Sequence, residues 1–491
     1  MKKKLLILIP SYNVEKFLHS LLASIPFKKL KKFDVEALIV NDASNDKTLS
    51  IAKKYKSKNK NSLKITIFSN KENQGYGDVQ KIGYKYALKN NFDLVVLLPG
   101  DGQYNPKKIP FLVEPIVKKK ADVVLGSRML NKNNALKGGM PFLRFIGNLF
   151  LNKIQNLFLS ANISEYHTGY RVYSINTLKR IPFYLNSHSF HFDTQVIIQI
   201  LFAKMKIKEL PIETIYGEQK SYLKVIPYVF NVLKNTLLAS VQSLGILYEK
   251  KFDLRHHEDN KIIYQSKLHF HSSHKVILEN IKNGEKILNL GLNFKDFENE
   301  LKKKKCEIIN FDLNSYLKNV EIGEHGFIDP EKNLFPFKNE DFDKVIIISE
   351  IQRLKNPEAL IFILSNWFSN LPKLKIYVTT TNIGFFLIRG MLLLGFFNHS
   401  VRGILDMSIT RNFTFSSLKK IFEQNGFQVL RMKGIPAPYP LAIKNKLISK
   451  ILLKINQLMI LISKSFFSYE IFAELKLKKS VEQLINEARK K

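Results

Sequence analysis

Carboxylate, amide and guanidinium side chains follow directly after apolar runs at three places in the sequence. They are Asp42 after LIV, Asp101 and Gln103 after LVVLLPG, and Arg128 after VVLGS. Carboxylate and amide oxygens suit Mg²⁺ or Mn²⁺, and a guanidinium can hold a phosphate through two hydrogen bonds. An Asp after a strand is often only a turn former. The prediction of a site therefore depends on whether these residues meet.

The order of strands and helices predicts that they do meet. Short apolar runs rich in β-branched residues alternate with helical patterns, which indicates a parallel sheet covered on both faces. In such sheets the ligand lies at the carboxyl ends of the strands. We therefore predict an α/β domain in which these residues line one edge. The strands are predicted at 4–9, 35–40, 63–68, 93–98 and 121–125, and the helices at 14–25, 46–56 and 77–89.

Seven segments in the first half carry a resemblance to a known family. They are IPSYN, VNDASNDKT, NQGYG, LLPGDGQYNP, GSR, EYHTGYRVYS and ELPIETIY. In this order they resemble family 2 glycosyltransferases of the GT-A fold, of the dolichyl-phosphate-mannose-synthase-like kind, over residues 1 to about 235. The resemblance implies inverting transfer from a nucleoside-diphosphate sugar, with Mg²⁺ or Mn²⁺ on the diphosphate. The acceptor would be a lipid phosphate or a glycan in cell-surface glycan assembly.

The resemblance also assigns the donor and cation residues by position. It places Pro10, Tyr12 and Asp42 in the nucleotide pocket, and Asp101 and Gln103 at the cation. The chain departs from the family at Pro99, where many relatives have the first acid of an Asp-x-Asp pair. We therefore expect the diphosphate, Asp101 and Gln103 to hold the cation, rather than two paired carboxylates.

The acceptor end of the site leaves two alternatives open. A hydroxyl acceptor needs a general base, and the candidates are Asp193 and His191 in SFHFDTQ, whose other interpretation is structural. A lipid phosphate needs no base, because it is already ionised. Arg128 and Arg144 would then bind the acceptor phosphate, as the resemblance suggests.

Three more residues are predicted to contact the acceptor. Lys220 and Ser221 would close over the site. Arg171 in HTGYR either joins them or pairs within the fold.

A second strand-helix series follows the polar stretch KKFDLRHHEDNK. Its first strand leads to a turn at Gly291, and its second strand ends near Asp312, which would hold ribose hydroxyls in a dinucleotide or S-adenosylmethionine site. Residues 271 to 436 resemble class I S-adenosylmethionine-dependent methyltransferases. The resemblance is carried by KILNLGLNFKDF, IINFDLN, NLFPFKNEDFDKVIIISEIQRLKNPEAL and RNFTFSSLKKIFEQNGF.

The glycine loop of this second series departs from the family pattern. Asn289 stands where the family usually has an acid, and Gly291 is followed by Leu292, Asn293 and Phe294. Side chains therefore occupy positions where the backbone should approach the cofactor. We interpret this half as a methyltransferase-like domain used for scaffolding or acceptor binding. The alternatives are a bifunctional enzyme that also methylates, and a non-catalytic membrane-associated assembly protein.

Charge and composition indicate where the protein acts. The net charge of +35 attracts anionic lipids or nucleotides, while the even spread of Lys and the lack of a nucleic-acid module argue against nucleic acid. Residues 441 to 467 space Lys among aliphatics at helical intervals, which is typical of a helix on an anionic membrane surface or of a helix packed on its own domain. The single Cys306 fits a reducing compartment. We expect a cytoplasmic protein, peripheral at the inner face of the membrane.

The predicted domain organisation has four parts. They are a GT-A glycosyltransferase domain at 1–245, a linker at 246–270, a methyltransferase-like domain of Rossmann-like fold at 271–437 and a basic amphipathic helical tail at 438–491.

Overall fold

The computed structural model describes residues 2–59, 64–131, 135–136, 138–217, 222–243, 248–254, 267–291, 294–313, 337, 341–368, 371, 373–400, 402–443 and 445–478. Their internal contacts divide the chain into two units. The first comprises 1–240 and 249–262, and the second comprises 241–248 and 263–491.

The first unit is built on a seven-stranded sheet in the order β3-β2-β1-β4-β6-β5-β7. Strand β6 is antiparallel to β4 and β5, and the other pairs are parallel. The predicted strands are present, and the sheet also contains β6 and β7, which we did not predict. The strands are β1 (Lys3–Ser11), β2 (Phe33–Asn41), β3 (Lys64–Ser69), β4 (Leu94–Leu97), β5 (Val123–Ser127), β6 (Arg171–Ser174) and β7 (Ile207–Pro211).

Helices cover both faces of this sheet. In β1 the side chains of Leu5, Ile7 and Ile9 enter one core, and those of Leu6 and Leu8 enter the other. Because both faces are buried, the strand is a continuous apolar run rather than an alternating one. The helices are α1 (Glu15–Ala23), α2 (Thr48–Lys58), α3 (Tyr76–Lys89), α4 (Ile109–Val117), α5 (Phe142–Leu159), α6 (Ile175–Arg180), α7 (Phe192–Phe202) and α8 (Val225–Ser243).

The predicted linker at 246–270 begins too early. Residues Lys250–Phe252 form a 3₁₀ turn, and Phe252 and Leu254 are buried in the core of the first unit. These two apolar side chains anchor an otherwise polar stretch. Residues 255–266 lie outside the described part of the chain.

The second unit contains a six-stranded sheet in the order β12-β13-β11-β10-β8-β9. Strand β13 runs antiparallel to both of its neighbours, and the remaining pairs are parallel. The strands are β8 (Lys286–Asn289), β9 (Glu307–Asn310), β10 (Lys344–Ile348), β11 (Lys375–Thr381), β12 (Phe427–Ile435) and β13 (Glu470–Leu477). The helices are α9 (Ser273–Glu279), α10 (Lys295–Lys303), α11 (Pro357–Trp367), α12 (Phe386–Leu393), α13 (Phe415–Gln424), α14 (Tyr439–Ala442), α15 (Lys446–Ile462) and α16 (Lys464–Phe467).

The prediction of a separate helical tail at 438–491 was wrong in part. Helix α15 is present, but β13 lies inside the second sheet between β11 and β12. Its sequence EIFAELKL is rich in helix formers, yet Ile471 and Phe472 are buried on opposite faces of the sheet. Pairing along both edges and burial on both faces therefore outweigh local propensity. The second domain does not end at 437.

The helices of the described residues include none that is both long and apolar enough to cross a membrane.

Candidate active site

The crevice of the first sheet opens between β1 and β4, where the strand order reverses. The exits of these strands touch, since the backbone N–H of Gly100 donates to the carbonyl of Pro10 at 2.9 Å. A Cβ on Gly100 would lie 2.8 Å from Ser11 Oγ and 2.9 Å from the Pro10 oxygen. Glycine is therefore required here, and the contact brings the segment after β1 beside Asp101.

Asp42, at the exit of β2, is buried and bonded to the loop before α3. Its carboxylate accepts hydrogen bonds from Asn70 Nδ2 at 2.7 Å and from the backbone N–H groups of Gln74 and Gly75 at 2.9 and 3.0 Å. Asp42 thereby fixes the NQGYG loop against the sheet edge. Its predicted contact with a nucleotide stays a prediction.

Tyr12 follows β1 and packs against an aromatic ring that we did not predict. The rings of Tyr12 and Tyr222 are 5.0 Å apart and edge-on, and Asn13 Nδ2 lies 3.4 Å from Tyr222 Oη. Tyr222 therefore covers the exit of β1. The predicted residues Lys220 and Ser221 lie outside the described residues, directly before it.

Asp101 and Gln103 lie half-buried at the exit of β4. The backbone N–H of Gln103 donates to Asp101 Oδ1 at 3.0 Å. Burial raises the pKa of Asp101, while the Gln103 amide, Arg144 and Arg128 act in the opposite direction. Among the described residues there is no group of three or more His, Cys, Asp or Glu that could hold a metal ion. A cation bound at Asp101 and Gln103 would need further oxygens from its substrate.

Pro99, which replaces the first acid of the family pattern, faces the HTGYR segment. Its Cγ lies 3.0 Å from the position that a Cβ on Gly169 would take. The Gly169 amide donates to Tyr104 Oη at 2.9 Å. At the position where the family pattern has its first acid, Pro99 therefore packs against this segment.

The guanidinium of Arg128 donates its hydrogen bonds to other residues of the first unit. Its Nε donates to Glu165 Oε1 at 2.7 Å, its Nη1 to Tyr216 Oη at 2.5 Å and its Nη2 to the His167 carbonyl at 3.1 Å. The side chain is 2% exposed. This geometry corrects our prediction of a phosphate contact for Arg128 and gives the residue a structural role, because its donors are directed at protein atoms.

Arg144, on α5, is the second arginine predicted to bind the acceptor phosphate. Its side chain is half-buried, and its Cζ stacks on the Tyr216 ring at 5.5 Å from the centroid. It is close enough to Asp101 to act against the rise in the pKa of that carboxyl. The predicted contact of Arg144 with an acceptor phosphate stays a prediction.

Arg171 pairs within the fold, the second of its two predicted alternatives. It is fully buried, donates to the carbonyls of Thr168 and Tyr166 at 2.8 and 2.9 Å, and lies 3.5 Å from Asp193 Oδ2. Asp193 also accepts from Gln80 Nε2 at 2.9 Å. Burial raises the pKa of Asp193, and Arg171 and Gln80 oppose the rise. Both groups are thus held by structural contacts.

His191 and Tyr76 flank this buried pair. His191 is partly exposed at the start of α7, where burial and Lys251 lower its pKa. The Tyr76 ring stacks on Phe190 at 5.2 Å. Burial raises the pKa of Tyr76 far above its usual value, and Asp193 adds to the effect. The Tyr76 hydroxyl is therefore protonated at any ordinary pH.

His167 is a residue of this region that sequence reasoning missed. Its Nδ1 lies 2.7 Å from Tyr228 Oη, and its Nε2 is buried without a partner among the described residues. Burial, with help from Arg128 and Arg171, lowers the pKa of His167 to about 3. The imidazole is therefore neutral. Its position in EYHTGYR, one of the seven quoted segments, was the signal that could have revealed it.

The corresponding edge of the second sheet is arranged differently. A Cβ on Gly291 would lie 2.9 Å from the backbone nitrogen of Ile348, so this glycine permits the exits of β8 and β10 to pack closely. Asn289 donates to Asn310 Oδ1 at 2.8 Å and accepts from the Gly291 amide at 3.2 Å. Asp312 is exposed beyond the end of β9. Leu292 and Asn293 lie outside the described residues.

Solved structures offer only a distant likeness. The glucosyl-3-phosphoglycerate synthase of Mycobacterium tuberculosis in complex with uridine diphosphate is 14% identical, with a TM-score of 0.35, and the match covers 48% of this chain and 80% of that chain.

Sequence relatives are closer. An uncharacterized protein of Methanocaldococcus jannaschii is 32% identical over 218 residues, which cover 44% of this chain and 84% of the relative. A UDP-N-acetylglucosamine–dolichyl-phosphate N-acetylglucosaminyltransferase of Methanococcus voltae is 28% identical, with 44% of this chain and 87% of the relative covered. An undecaprenyl-phosphate mannosyltransferase of Micrococcus luteus is 25% identical, with the same shares covered.

The family profile described as glycosyl transferase family 2 matches residues 6–181, which contain the exits of β1, β2, β4 and β5. This span holds Tyr12, Asp42, Asp101 and Arg144. Together with the relative that is 32% identical, the profile shows that the chain belongs to glycosyl transferase family 2 and is a glycosyltransferase.

Proposed function

We propose that the first unit transfers a sugar, with inversion, from a nucleoside-diphosphate sugar to a lipid phosphate, in the assembly of cell-surface glycans. The observation that carries this proposal is the half-buried Asp101, bonded to the Gln103 amide, at the contact between the exits of β1 and β4. A carboxylate and an amide oxygen there, with the guanidinium of Arg144 in the same region, would suit a substrate complex that combines a metal-bound diphosphate with an acceptor phosphate.

The acceptor is inferred from two observations. The relatives from Methanococcus voltae and Micrococcus luteus are described as using dolichyl phosphate and undecaprenyl phosphate. In this chain Asp193 is bonded to Gln80 and paired with Arg171, so it is poorly suited to take a proton from a hydroxyl. A phosphate acceptor is already ionised and needs no base. Arg144 would bind it and hold it opposite the leaving diphosphate.

We propose that two aromatic rings and one carboxylate form the binding site for the nucleotide of the sugar donor. Tyr12 and Tyr222 would hold the nucleotide base against the exit of β1, and Asp42 would fix the loop beneath it. Asp101 and Gln103 offer hard oxygens that fit Mg²⁺ or Mn²⁺. A divalent cation there would neutralise charge on the leaving diphosphate.

The second unit is proposed to be a methyltransferase-like scaffold without catalysis. Gly291 is used for strand packing, and Asn289 is engaged with Asn310. Methylation with S-adenosylmethionine is the second candidate, favoured by the exposed Asp312 after β9. We further propose a cytoplasmic location, peripheral at the inner face of the membrane, because a lipid-phosphate acceptor would be met there.

A donor panel tests the proposed reaction. The full chain is incubated with nucleoside-diphosphate sugars, Mg²⁺ or Mn²⁺ and undecaprenyl phosphate in detergent, and the lipid product is detected by mass spectrometry. The matched control is undecaprenol, which has the same chain and no phosphate. We expect product with the phosphate and none with the alcohol. Transfer to the alcohol at an equal rate would contradict the proposed acceptor.

A further inference from the structure

The second unit exposes an apolar tip at the end of α12. Five large apolar side chains in the stretch LLLGFF are exposed to solvent, and Leu393 is 88% exposed. They are Leu392, Leu393, Leu394, Phe396 and Phe397. Single exposed apolar residues are normal on soluble proteins, whereas a contiguous group marks a binding surface.

Helix α15 presents an apolar face beside the base of α12. Leu458, Leu461 and Ile462 are exposed, and the last two are each 82% exposed. The Phe386 ring, in the first turn of α12, lies 6.3 Å from Phe466 and 5.8 Å from Phe467, just after α15. The tip and this face therefore belong to one region of the unit, which we call the apolar surface.

Helix α15 contacts its own unit through polar as well as apolar residues. Its buried residues are Ser449 and Asn456. Asn456 Oδ1 accepts from the Ala437 amide, and Asn456 Nδ2 donates to the Phe467 carbonyl, both at 2.9 Å. The helix is thus fastened to its own unit by polar contacts and by half-buried aliphatic side chains such as Leu452 and Ile460, while Leu458, Leu461 and Ile462 are exposed. Its aliphatic residues are therefore divided between packing on its own domain and an exposed apolar face.

The acidic residues next to the apolar surface, Asp406 and Glu470, are buried. Residues 383–405 and 432–469 contain no Asp or Glu. Four exposed lysines lie on or next to α15, at Lys446, Lys450, Lys454 and Lys464. A second copy of the chain would bring the same lysines, and like charges would oppose its docking. An anionic surface with an apolar interior complements both features.

We propose that the apolar surface docks on a lipid bilayer with anionic headgroups, with the tip residues Leu392–Phe397 inserted among the acyl chains and the α15 lysines at the headgroups. No helix of the described residues is suited to span a membrane, so the surface lies in the interface. This deepens the proposed peripheral location, on which it rests, because it names the surface of the second unit that meets the membrane; it would hold whatever sugar or acceptor the first unit uses.

The single cysteine makes a direct test available. The full chain with Cys306→Ser and Leu393→Cys is labelled with an environment-sensitive fluorophore, and vesicles of phosphatidylcholine with phosphatidylglycerol are added. We expect a blue shift of the emission and quenching by nitroxides on the acyl chains. The matched control carries the label at Leu430→Cys, an exposed residue of β12, and should show neither. Circular dichroism checks that both labelled chains are folded.

Two further experiments test the contribution of the lysines and distinguish a lipid bilayer from a second copy of the chain. Lys450→Gln and Lys454→Gln should each weaken vesicle binding by about fivefold, and vesicles of phosphatidylcholine alone should bind far less. A label at 393 that stays in water on vesicle-bound protein would overturn the proposal, because docking would then use another surface. A blue shift without vesicles that grows with protein concentration would overturn it in favour of a second copy.

Discussion

The two units place a glycine at the exit of a central parallel strand, and the two glycines have different consequences. Gly100 lets the exits of β1 and β4 touch, and Asp101 next to it is half-buried and bonded to the Gln103 amide. Gly291 lets β8 pack on the backbone of Ile348, and Asn289, at the end of β8, is bonded to Asn310. A doubly wound sheet supplies a crevice in both cases. The chemistry possible at each sheet edge depends on which polar side chains are not already engaged in hydrogen bonds within the fold.

Breaking the buried ion pair under the first site should have the largest effect on stability. Glu165→Gln removes the charge partner of the fully buried Arg128, which costs about 3–5 kcal/mol of unfolding free energy. The surface pair of Lys118 and Glu114 is the control, since an exposed ion pair contributes little and Lys118→Ala should leave stability nearly unchanged.

Denaturant unfolding can assign this loss to one unit. The only tryptophan, Trp367, lies on α11 of the second unit, so its fluorescence follows that unit while circular dichroism follows both. The Glu165→Gln transition should move in circular dichroism and not in tryptophan emission. A stability equal to that of the wild type would show that Arg128 is not anchored by Glu165.

The two glycines offer a matched pair of substitutions. Gly100→Ala and Gly291→Ala each force a Cβ to within 3 Å of backbone or side-chain atoms, which costs about 1–3 kcal/mol as overpacking. We expect Gly100→Ala to abolish sugar transfer by displacing Asp101, and Gly291→Ala to preserve it while lowering the midpoint of tryptophan-detected unfolding. Loss of transfer in Gly291→Ala would contradict the division of roles.

Acid should destabilise both units through buried histidines. Burial lowers the pKa of His167 to about 3 and that of His274 to about 4, against about 6.5 in an unfolded chain. The unfolded state therefore takes up protons first as the pH falls below about 6.5. Each histidine removes about 1.4 kcal/mol of stability per pH unit until its folded pKa is reached.

Substitution separates the two histidines. His274→Gln should flatten the pH dependence of tryptophan-detected unfolding, and His167→Gln should leave that dependence unchanged. The measurement is the unfolding midpoint at a series of pH values from neutral to acidic. Equal pH slopes in wild type and His274→Gln would mean that His274 titrates normally.

The smallest expected effect is the absence of cofactor binding by the second unit. Calorimetry with S-adenosylmethionine should give no heat, because the Gly291 turn packs on Ile348 and carries Asn289 in place of an acid. Asp312→Ala serves as the comparison. Tight binding that this substitution abolishes would establish a working cofactor pocket and make the enzyme bifunctional.

The sequence was a good guide to the first sheet and to the residues at its edge. Strands β1 to β5 are buried apolar runs, and a parallel arrangement follows from their alternation with helices. Asp101, Gln103 and Tyr12 could be placed at one edge because edge position depends only on strand direction. These inferences need only the local residue pattern and the general rules of sheet topology, which can be applied to a single sequence.

Other features depend on contacts that a sequence does not display. The pairing of Arg128 with Glu165 joins residues 37 positions apart, and nothing local in the sequence distinguishes that arginine from Arg144, the proposed phosphate ligand. The segment that forms β13 has a composition typical of a helix, but its pairing with β11 and β12 makes it a strand. Tyr222 and His167 acquire their positions from loops that return to the sheet edge.

Sugar transfer is proposed to depend on Asp101 in the first unit and not on Asp312, the acid that follows β9 in the second unit. The most direct measurement is nucleotide release from the accepted donor, with divalent cation and lipid phosphate, by wild type, Asp101→Asn and Asp312→Asn. Removing a preorganised charge at the leaving diphosphate should lower the rate by about a hundredfold or more. We expect this loss for Asp101→Asn and an unchanged rate for Asp312→Asn. Normal turnover by Asp101→Asn would contradict the role proposed for Asp101.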